Sequence, residues 1–222
     1  MTTNYEIRIC DSCGLRYPLV EGHPHGTRCP ICMGSTRLIL SRELVLEPTR
    51  DLNRGESKSL FNPASSATQK ARFAVLLDNI RSAWNVGSIF RSADGFGFIH
   101  AYLCGITPTP EVDAVVKTSL GAEDSVPWSY HKDAVKLVKG LKKEGHAILA
   151  LEEDARAHEL MKDQSGRSRT DTILILGSEV TGVDPDLLDL CDEILYIPMG
   201  GEKKSFNVAM AFSIAAYALT VN

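Results

Sequence analysis

Apolar residues fall along this chain in two regimes. From residue 73 onward, short apolar runs alternate with longer stretches in which apolar positions recur every three or four residues, whereas residues before 45 are turn-rich and carry paired cysteines. The short runs, each bounded by turn formers, predict strands at Phe73 to Leu77, His100 to Cys104, Ala147 to Leu151, Thr172 to Leu176 and Glu193 to Ile197. The helical spacing predicts helices at Val86 to Phe96, Glu111 to Ser119, Lys132 to Lys143, Pro185 to Leu190 and Val208 to Leu219. Strands alternating with helices imply an α/β fold in which a parallel sheet carries helices on both faces. Such a sheet binds its ligand beyond the carboxyl ends of its strands, so chemistry is expected in the loops after Leu77, Leu151, Leu176 and Ile197.

The early region has its own signal. Cys10-x2-Cys13 and Cys29-x2-Cys32 are separated by fifteen residues, a spacing that suits a closed, tetrahedral, structural zinc site. Gly14 and Gly34 follow the pairs closely, as expected where a chain must turn tightly to fold two sulfurs onto one ion. So small a module has too little core to stand alone, and the metal would supply much of its folding free energy. His23 and His25 lie between the pairs and are expected to decorate the loop, while Cys104 and Cys191 sit in apolar surroundings as core residues. The chain then divides into a metal module (1–45), a linker (46–72) and a larger domain (73–222). The linker sets Arg50, Arg54, Lys58, Lys70 and Arg72 against Asp51 and Glu56, which reads either as a solvated tether or as a contact for an anionic polymer.

Composition narrows the class of protein. With 44% hydrophobic and 23% charged residues the chain can bury a core and is not a disordered tail. A net charge of -4 removes the global basic character of a non-specific nucleic-acid binder, so any such contact must use a local patch. The most apolar stretch, Val208 to Val221, falls short of the roughly 20 residues needed to span a bilayer, and reads as a buried helix. Met1 to Cys10 has no apolar run behind a basic start, so no secretory signal is expected. Two CxxC pairs without such a signal favour metal over disulfides and point to a reducing cytoplasm.

Three segments of the larger domain carry candidate chemistry. Asp78 to Gly97 (DNIRSAWNVGSIFRSADGFG) places Asn85 where a helix N-cap would stand and Arg91 on the same helix. Ile175 to Val183 (ILGSEVTGV) sets Gly177 and Gly182 around Glu179 at a strand exit, where glycines let a ligand approach the backbone. Tyr196 to Ala209 (YIPMGGEKKSFNVA) runs from a strand through a glycine loop, with Ser205 as a candidate cap and Asn207 presenting an amide. Ile197 and Met199 could wall a cofactor pocket there. Neither GxGxxG nor GxxxxGK[ST] occurs, which leaves dinucleotide binding and nucleotide hydrolysis without support.

In this order the three segments resemble the signature motifs of the SpoU (TrmH-like) RNA 2'-O-ribose methyltransferases of the SPOUT superfamily. The resemblance spans about residues 73–222: Asn85, Gly87, Arg91, Ala93, Phe96 and Gly97; Gly177, Glu179 and Gly182; Ile197 to Met199, Gly201, Ser205, Asn207 and Val208. Phe206 stands where the family usually has Leu, and Ala209 where Ser is common.

The resemblance implies a C-terminal trefoil knot, S-adenosylmethionine bound on the loops after Leu151, Leu176 and Ile197, methyl transfer to a ribose 2'-hydroxyl of tRNA or rRNA, and a homodimer built on the closing helix. It assigns catalytic roles to Arg91, Asn85, Glu179, Ser205 and Asn207, and cofactor contacts to Leu151, Gly177, Gly182, Ile197, Met199, Ser205 and Asn207. A guanidinium is a poor base at neutral pH, so Arg91 is expected to hold substrate phosphate and stabilise developing oxyanion charge. RNA contacts are expected from the metal module, the linker, Arg81 and Arg91, whereas Lys136, Lys139, Lys142 and Lys143 read as a solvated face. Removing residues 1–45 is expected to weaken RNA binding and spare cofactor binding. The alternatives are a non-catalytic zinc-ribbon RNA-binding protein on the same scaffold, and a small-molecule enzyme on a doubly wound sheet.

Overall fold

The computed structural model describes residues 3–23, 27–44, 72–160, 170–203 and 205–221. The expected linker lies outside them except for Arg72, as does His25.

The early region forms a three-stranded antiparallel sheet from β1 (Thr3–Cys10), β2 (Arg16–Val20) and β3 (Thr36–Leu44), in the order β2-β1-β3. Its core is small: Cys10, Leu15, Tyr17, Leu19 and Cys29 are buried, with Cys13 and Ile106 packed against them. Ile106 belongs to the larger domain, so the ribbon is docked on that domain through its own core.

The larger domain has a seven-stranded sheet, with helices on both faces, in the order β6-β5-β4-β9-β7-β10-β8. Its strands are β4 (Phe73–Asp78), β5 (His100–Cys104), β6 (Trp128–His131), β7 (Ala147–Leu151), β8 (His158–Glu159), β9 (Thr172–Leu176) and β10 (Glu193–Tyr196). Every neighbouring pair is parallel. Its helices are α1 (Ala83–Gly95), α2 (Asp113–Ser119), α3 (Ala122–Ser125), α4 (Ala134–Lys143), α5 (Pro185–Leu188) and α6 (Val208–Thr220).

Alternation along the central strands builds the two faces. Val75, Leu77, Leu174 and Leu176 join one core with Val86, Ile89 and Phe90 of α1 and Phe212 of α6. Ala74, Leu76, Ile173 and Ile175 join the other, with Val138 of α4 and Leu187 of α5. Because both faces are covered, β9 is buried at all five positions, and after Thr172 its sequence is an unbroken apolar run, Ile173 to Leu176.

Three elements escape the apolar pattern. β6 is an edge strand whose Trp128, Ser129, Tyr130 and His131 are only partly covered, so it shows no continuous apolar run. β8 has two residues at the other edge, and α3 is a single turn. Among the described residues no helix is long and apolar enough to cross a membrane. Helix α6, the most apolar stretch, turns Phe212, Ala215, Ala216 and Leu219 inward and leaves Met210, Ile214 and Tyr217 exposed, with Val221 exposed just beyond its end.

Candidate active site

The carboxyl ends of β7, β9 and β10 open onto a cleft of about 940 Å3. Leu151, Gly177, Gly182, Ile197, Ser205 and Asn207 line it, six of the seven residues expected to hold a cofactor. Met199, the seventh, is not among its lining residues.

Two glycines shape the loop after β9. Ser178 and Gly182 exchange backbone hydrogen bonds of 3.0 and 2.9 Å, closing the loop around Glu179. A Cβ on Gly177 would come within 2.1 Å of the Val183 nitrogen, and Gly182 has φ of 70° with the Glu152 carboxylate 2.5 Å from where its Cβ would be. Any larger residue must therefore push the backbone apart or strain it.

At one side of the cleft three side chains form a chain of hydrogen bonds. Asn85 Nδ2 donates to Glu179 Oε1 at 2.8 Å, and Asn207 Nδ2 donates to Asn85 Oδ1 at 3.0 Å. Glu179 also accepts from the backbone N–H groups of Arg81 at 2.8 Å and Ser82 at 3.2 Å. Burial pushes the Glu179 carboxyl up, but the hydrogen bonds from Arg81, its own backbone, Asn85 and Ser82 together bring it below its ordinary value. Asn85 is thus fixed in orientation at both ends of its amide.

Both cap assignments differ from expectation. Ser82, not Asn85, caps α1, its Oγ accepting from the Asn85 N–H at 3.3 Å. Asn207, not Ser205, caps α6, its Oδ1 accepting from Ala209 N–H at 3.0 Å and Met210 N–H at 3.4 Å. Each segment holds two cap-type residues, and the side chain left over in α1 is the one that reaches across to Glu179. Ser205 lies exposed on the cleft wall.

Arg91 is exposed, lies outside the cleft lining, and has no hydrogen-bond or ion-pair partner among the described residues. Six residues beyond Asn85, its side chain leaves the helix about 120° away from that of Asn85. Among the described residues no hydrogen bond joins Arg91 to the Asn85–Glu179–Asn207 group. Arg81 and Trp84 are exposed at the start of α1, Trp84 by 60%.

Sequence reasoning missed Glu152, Tyr5 and Glu43, all of which line the cleft. Glu152 follows β7 directly and accepts from the backbone N–H of Val183 at 2.8 Å and of Glu153 at 3.1 Å; burial raises its pKa. Its place just after a predicted strand was the available signal. At the carboxyl end of β4 Asp78 is buried, accepting from Asn79 Nδ2 at 2.8 Å and the Asp184 N–H at 3.3 Å. Burial and the neighbouring Asp184 raise the Asp78 carboxyl to about 7 against the opposing pull of those hydrogen bonds and of Arg16.

The four thiols of Cys10, Cys13, Cys29 and Cys32 lie within 4.8 Å of one another. Sulfur pairs Cys10–Cys32 and Cys13–Cys29 are 3.4 and 3.7 Å apart, close to the ~3.8 Å edge of a tetrahedron with zinc–sulfur bonds of about 2.3 Å. The two knuckles repeat each other: Gly14 and Met33 N–H donate to the Cys10 and Cys29 carbonyls, and Cys10 and Cys29 N–H donate to the Leu15 and Gly34 carbonyls. Positive φ falls on Gly14 (73°) and on Met33 (60°) rather than on Gly34. The donor set fits a structural zinc ion.

The SpoU rRNA Methylase family model matches residues 72–217, and the chain belongs to that family. An uncharacterised tRNA/rRNA methyltransferase of Mycobacterium bovis is 30% identical over 158 residues, covering 70% of this chain and 47% of that protein. This chain spans about half the length of that and similar mycobacterial relatives. The tRNA (guanosine(18)-2'-O)-methyltransferase of Thermus thermophilus is 30% identical, covering 64% of this chain and 71% of its own. Among solved structures, the SpoU methyltransferase AviRb from Streptomyces viridochromogenes in complex with AdoMet aligns with a TM-score of 0.60 and 25% identity, over 68% of this chain and 60% of that one.

Proposed function

We propose that this protein transfers a methyl group from S-adenosylmethionine to a ribose 2'-hydroxyl of tRNA or rRNA. The observation that carries the reading is the doubly anchored Asn85 amide beside a cleft at the carboxyl ends of three parallel strands. Relatives named as RNA 2'-O-methyltransferases and a neighbour solved with AdoMet support it.

The bound sulfonium would supply an electrophilic methyl group, and the chain's residues align the acceptor. Leu151 and Ile197 give the cleft apolar walls, and the loop glycines bring backbone amides and carbonyls to its edge. Asn207 holds its place by capping α6 while tethering Asn85, so both amides are pre-oriented. Glu179, satisfied as an anion by three donated hydrogen bonds from Arg81, Ser82 and Asn85, locks the loop and is assigned no proton transfer. Ser205 is assigned to substrate or cofactor positioning. Arg91, exposed and without a hydrogen-bond or ion-pair partner among the described residues, is assigned to an RNA phosphate, with the exposed Arg81 and Trp84 as further contacts.

Three more features belong to this reading. Met210, Ile214, Tyr217 and, just beyond the helix end, Val221 form one exposed apolar stripe along α6, which supports its use as a homodimer face. A C-terminal trefoil knot is assigned on the family resemblance, and the shift in composition and the cysteine spacing support a division into module, linker and domain at 1–45, 46–72 and 73–222. Four free thiols arranged for a metal support a reducing, cytoplasmic setting.

The test is incubation of purified protein with methyl-labelled S-adenosylmethionine and RNA from cells lacking it. A 2'-O-methyl nucleotide blocks alkaline cleavage of its own phosphodiester bond, so label must appear in alkali-resistant dinucleotides. Label recovered only in mononucleotides would assign methylation to a base and reject the reading.

A further inference from the structure

Two residues of the N-terminal ribbon, Tyr5 on β1 and Glu43 on β3, line the same cleft as Glu152, Gly177 and Asn207. Neither lies in the stretch matched by the family model, residues 72–217. The ribbon is fixed there by a buried ion pair. Arg16 Nε donates to Asp184 Oδ2 at 2.5 Å, and Nη2 donates to Asp184 Oδ1 at 3.0 Å and Asp186 Oδ2 at 2.9 Å. The Arg16 and Asp184 side chains are only 8% and 3% exposed. The Arg16 backbone N–H also donates to the Lys132 carbonyl at 3.0 Å.

These contacts connect the metal site to the cleft. Cys13 is three residues before Arg16, and its thiol belongs to the four-sulfur group. Asp184 follows Val183, whose N–H donates to the Glu152 carboxylate on the cleft wall. Loss of the metal would loosen the knuckle that leads directly into Arg16 at the start of β2 and leave the Asp184 carboxylate buried without its partner, an expensive state.

We infer that the metal ribbon is a wall of the cofactor cleft: Tyr5 and Glu43 face the bound adenosyl compound, and Arg16, a positioning residue, holds the 177–184 loop through Asp184. The inference rests on the methyl-donor reading above. It replaces the expectation that removing residues 1–45 would spare cofactor binding, because that removal takes away two cleft residues and the clamp on a third element. Coupling of this kind is reciprocal: a metal that strengthens cofactor binding is itself held more tightly when the cofactor is bound.

The experiment titrates S-adenosylhomocysteine calorimetrically into zinc-loaded, full-length protein, then follows zinc loss to a chelator with and without saturating ligand. The ligand is expected to raise the chelator concentration needed for half removal by at least about fivefold. Arg16→Met is expected to abolish that shift and Arg16→Lys to restore part of it, because lysine keeps the charge but not the two-toothed grip. Glu43→Lys, at an exposed position, is expected to keep its zinc and bind the ligand at least about threefold more weakly. Superimposable chelation curves for the wild type, or unchanged affinity in Glu43→Lys, overturn the inference. Failure of the wild type to bind either S-adenosylhomocysteine or S-adenosylmethionine overturns the methyl-donor reading and, with it, this one.

Discussion

The Asn85 amide donates to Glu179 at 2.8 Å across 94 residues of chain, tying the first turn of α1 to the loop after β9. The bond needs Glu179 as an acceptor only, since all of its partners here are donors. Glu179→Gln must turn its amide NH2 either toward the Arg81 N–H or toward the Ser82 and Asn85 donors, so at least one of these bonds is lost and the loop is held less firmly. The expected result is a loss of about 1 kcal/mol in stability and at least tenfold in kcat/KM. The sign of the pH effect follows from the lowered carboxyl: its contribution is present above the unfolded value near 4 and lost as pH falls through its own lower value. Urea unfolding from pH 2 to 7 should therefore show a smaller acid-side loss in the variant; equal slopes would contradict the anchoring role.

Asp78 acts in the opposite direction. Its carboxyl is raised to about 7, so the folded state holds a proton there that the unfolded chain releases near pH 4. The stability it contributes is full below the unfolded value, declines as pH rises, and is gone above about 7. Asp78→Asn should flatten the fall in unfolding free energy across this range. A wild-type curve no steeper than the variant's between pH 4 and 7 would rule this out.

Met33 carries a strain that glycine would relieve. Its φ of 60° is in the left-handed region, at the position where the other knuckle has Gly14. Met33→Gly is expected to stabilise the metal-loaded ribbon by about 0.5–1 kcal/mol, and Gly14→Ala to destabilise it by a similar amount. Chelator titrations monitored by thiol accessibility would measure both. Equal zinc retention in the two variants would contradict the equivalence of the knuckles.

Much of this arrangement is legible in the residues, for physical reasons. His100–Cys104, Ala147–Leu151 and Thr172–Leu176 match their predicted bounds because parallel strands covered on both faces are mostly apolar, with polar residues here only at the first position, His100 and Thr172. The cysteine spacing alone locates the four-sulfur group. Edge strand β6, with Trp128 and His131, carries no such signature because one side of it is open. Ser82 and Asn85 are both good caps, and only the packed helix decides which of them caps and which reaches Glu179. Arg16 and Asp184, 168 residues apart, pair only once the ribbon docks, so nothing local in either segment marks Tyr5 or Glu43 as cleft residues.

The central claim is that the Asn85–Glu179–Asn207 group aligns a ribose against a methyl donor in the adjoining cleft. Single-turnover methyl transfer to RNA, with nucleoside analysis, tests it most directly in wild type and Asn85→Ala at saturating S-adenosylmethionine. Misalignment of the reacting atoms by even 1 Å costs on the order of a hundredfold. The wild type should form a 2'-O-methyl nucleoside, and Asn85→Ala should form it at least about a hundred times more slowly. Equal rates in the two proteins, or a wild type that binds the donor yet forms no 2'-O-methyl nucleoside on any RNA from cells lacking it, would contradict the claim.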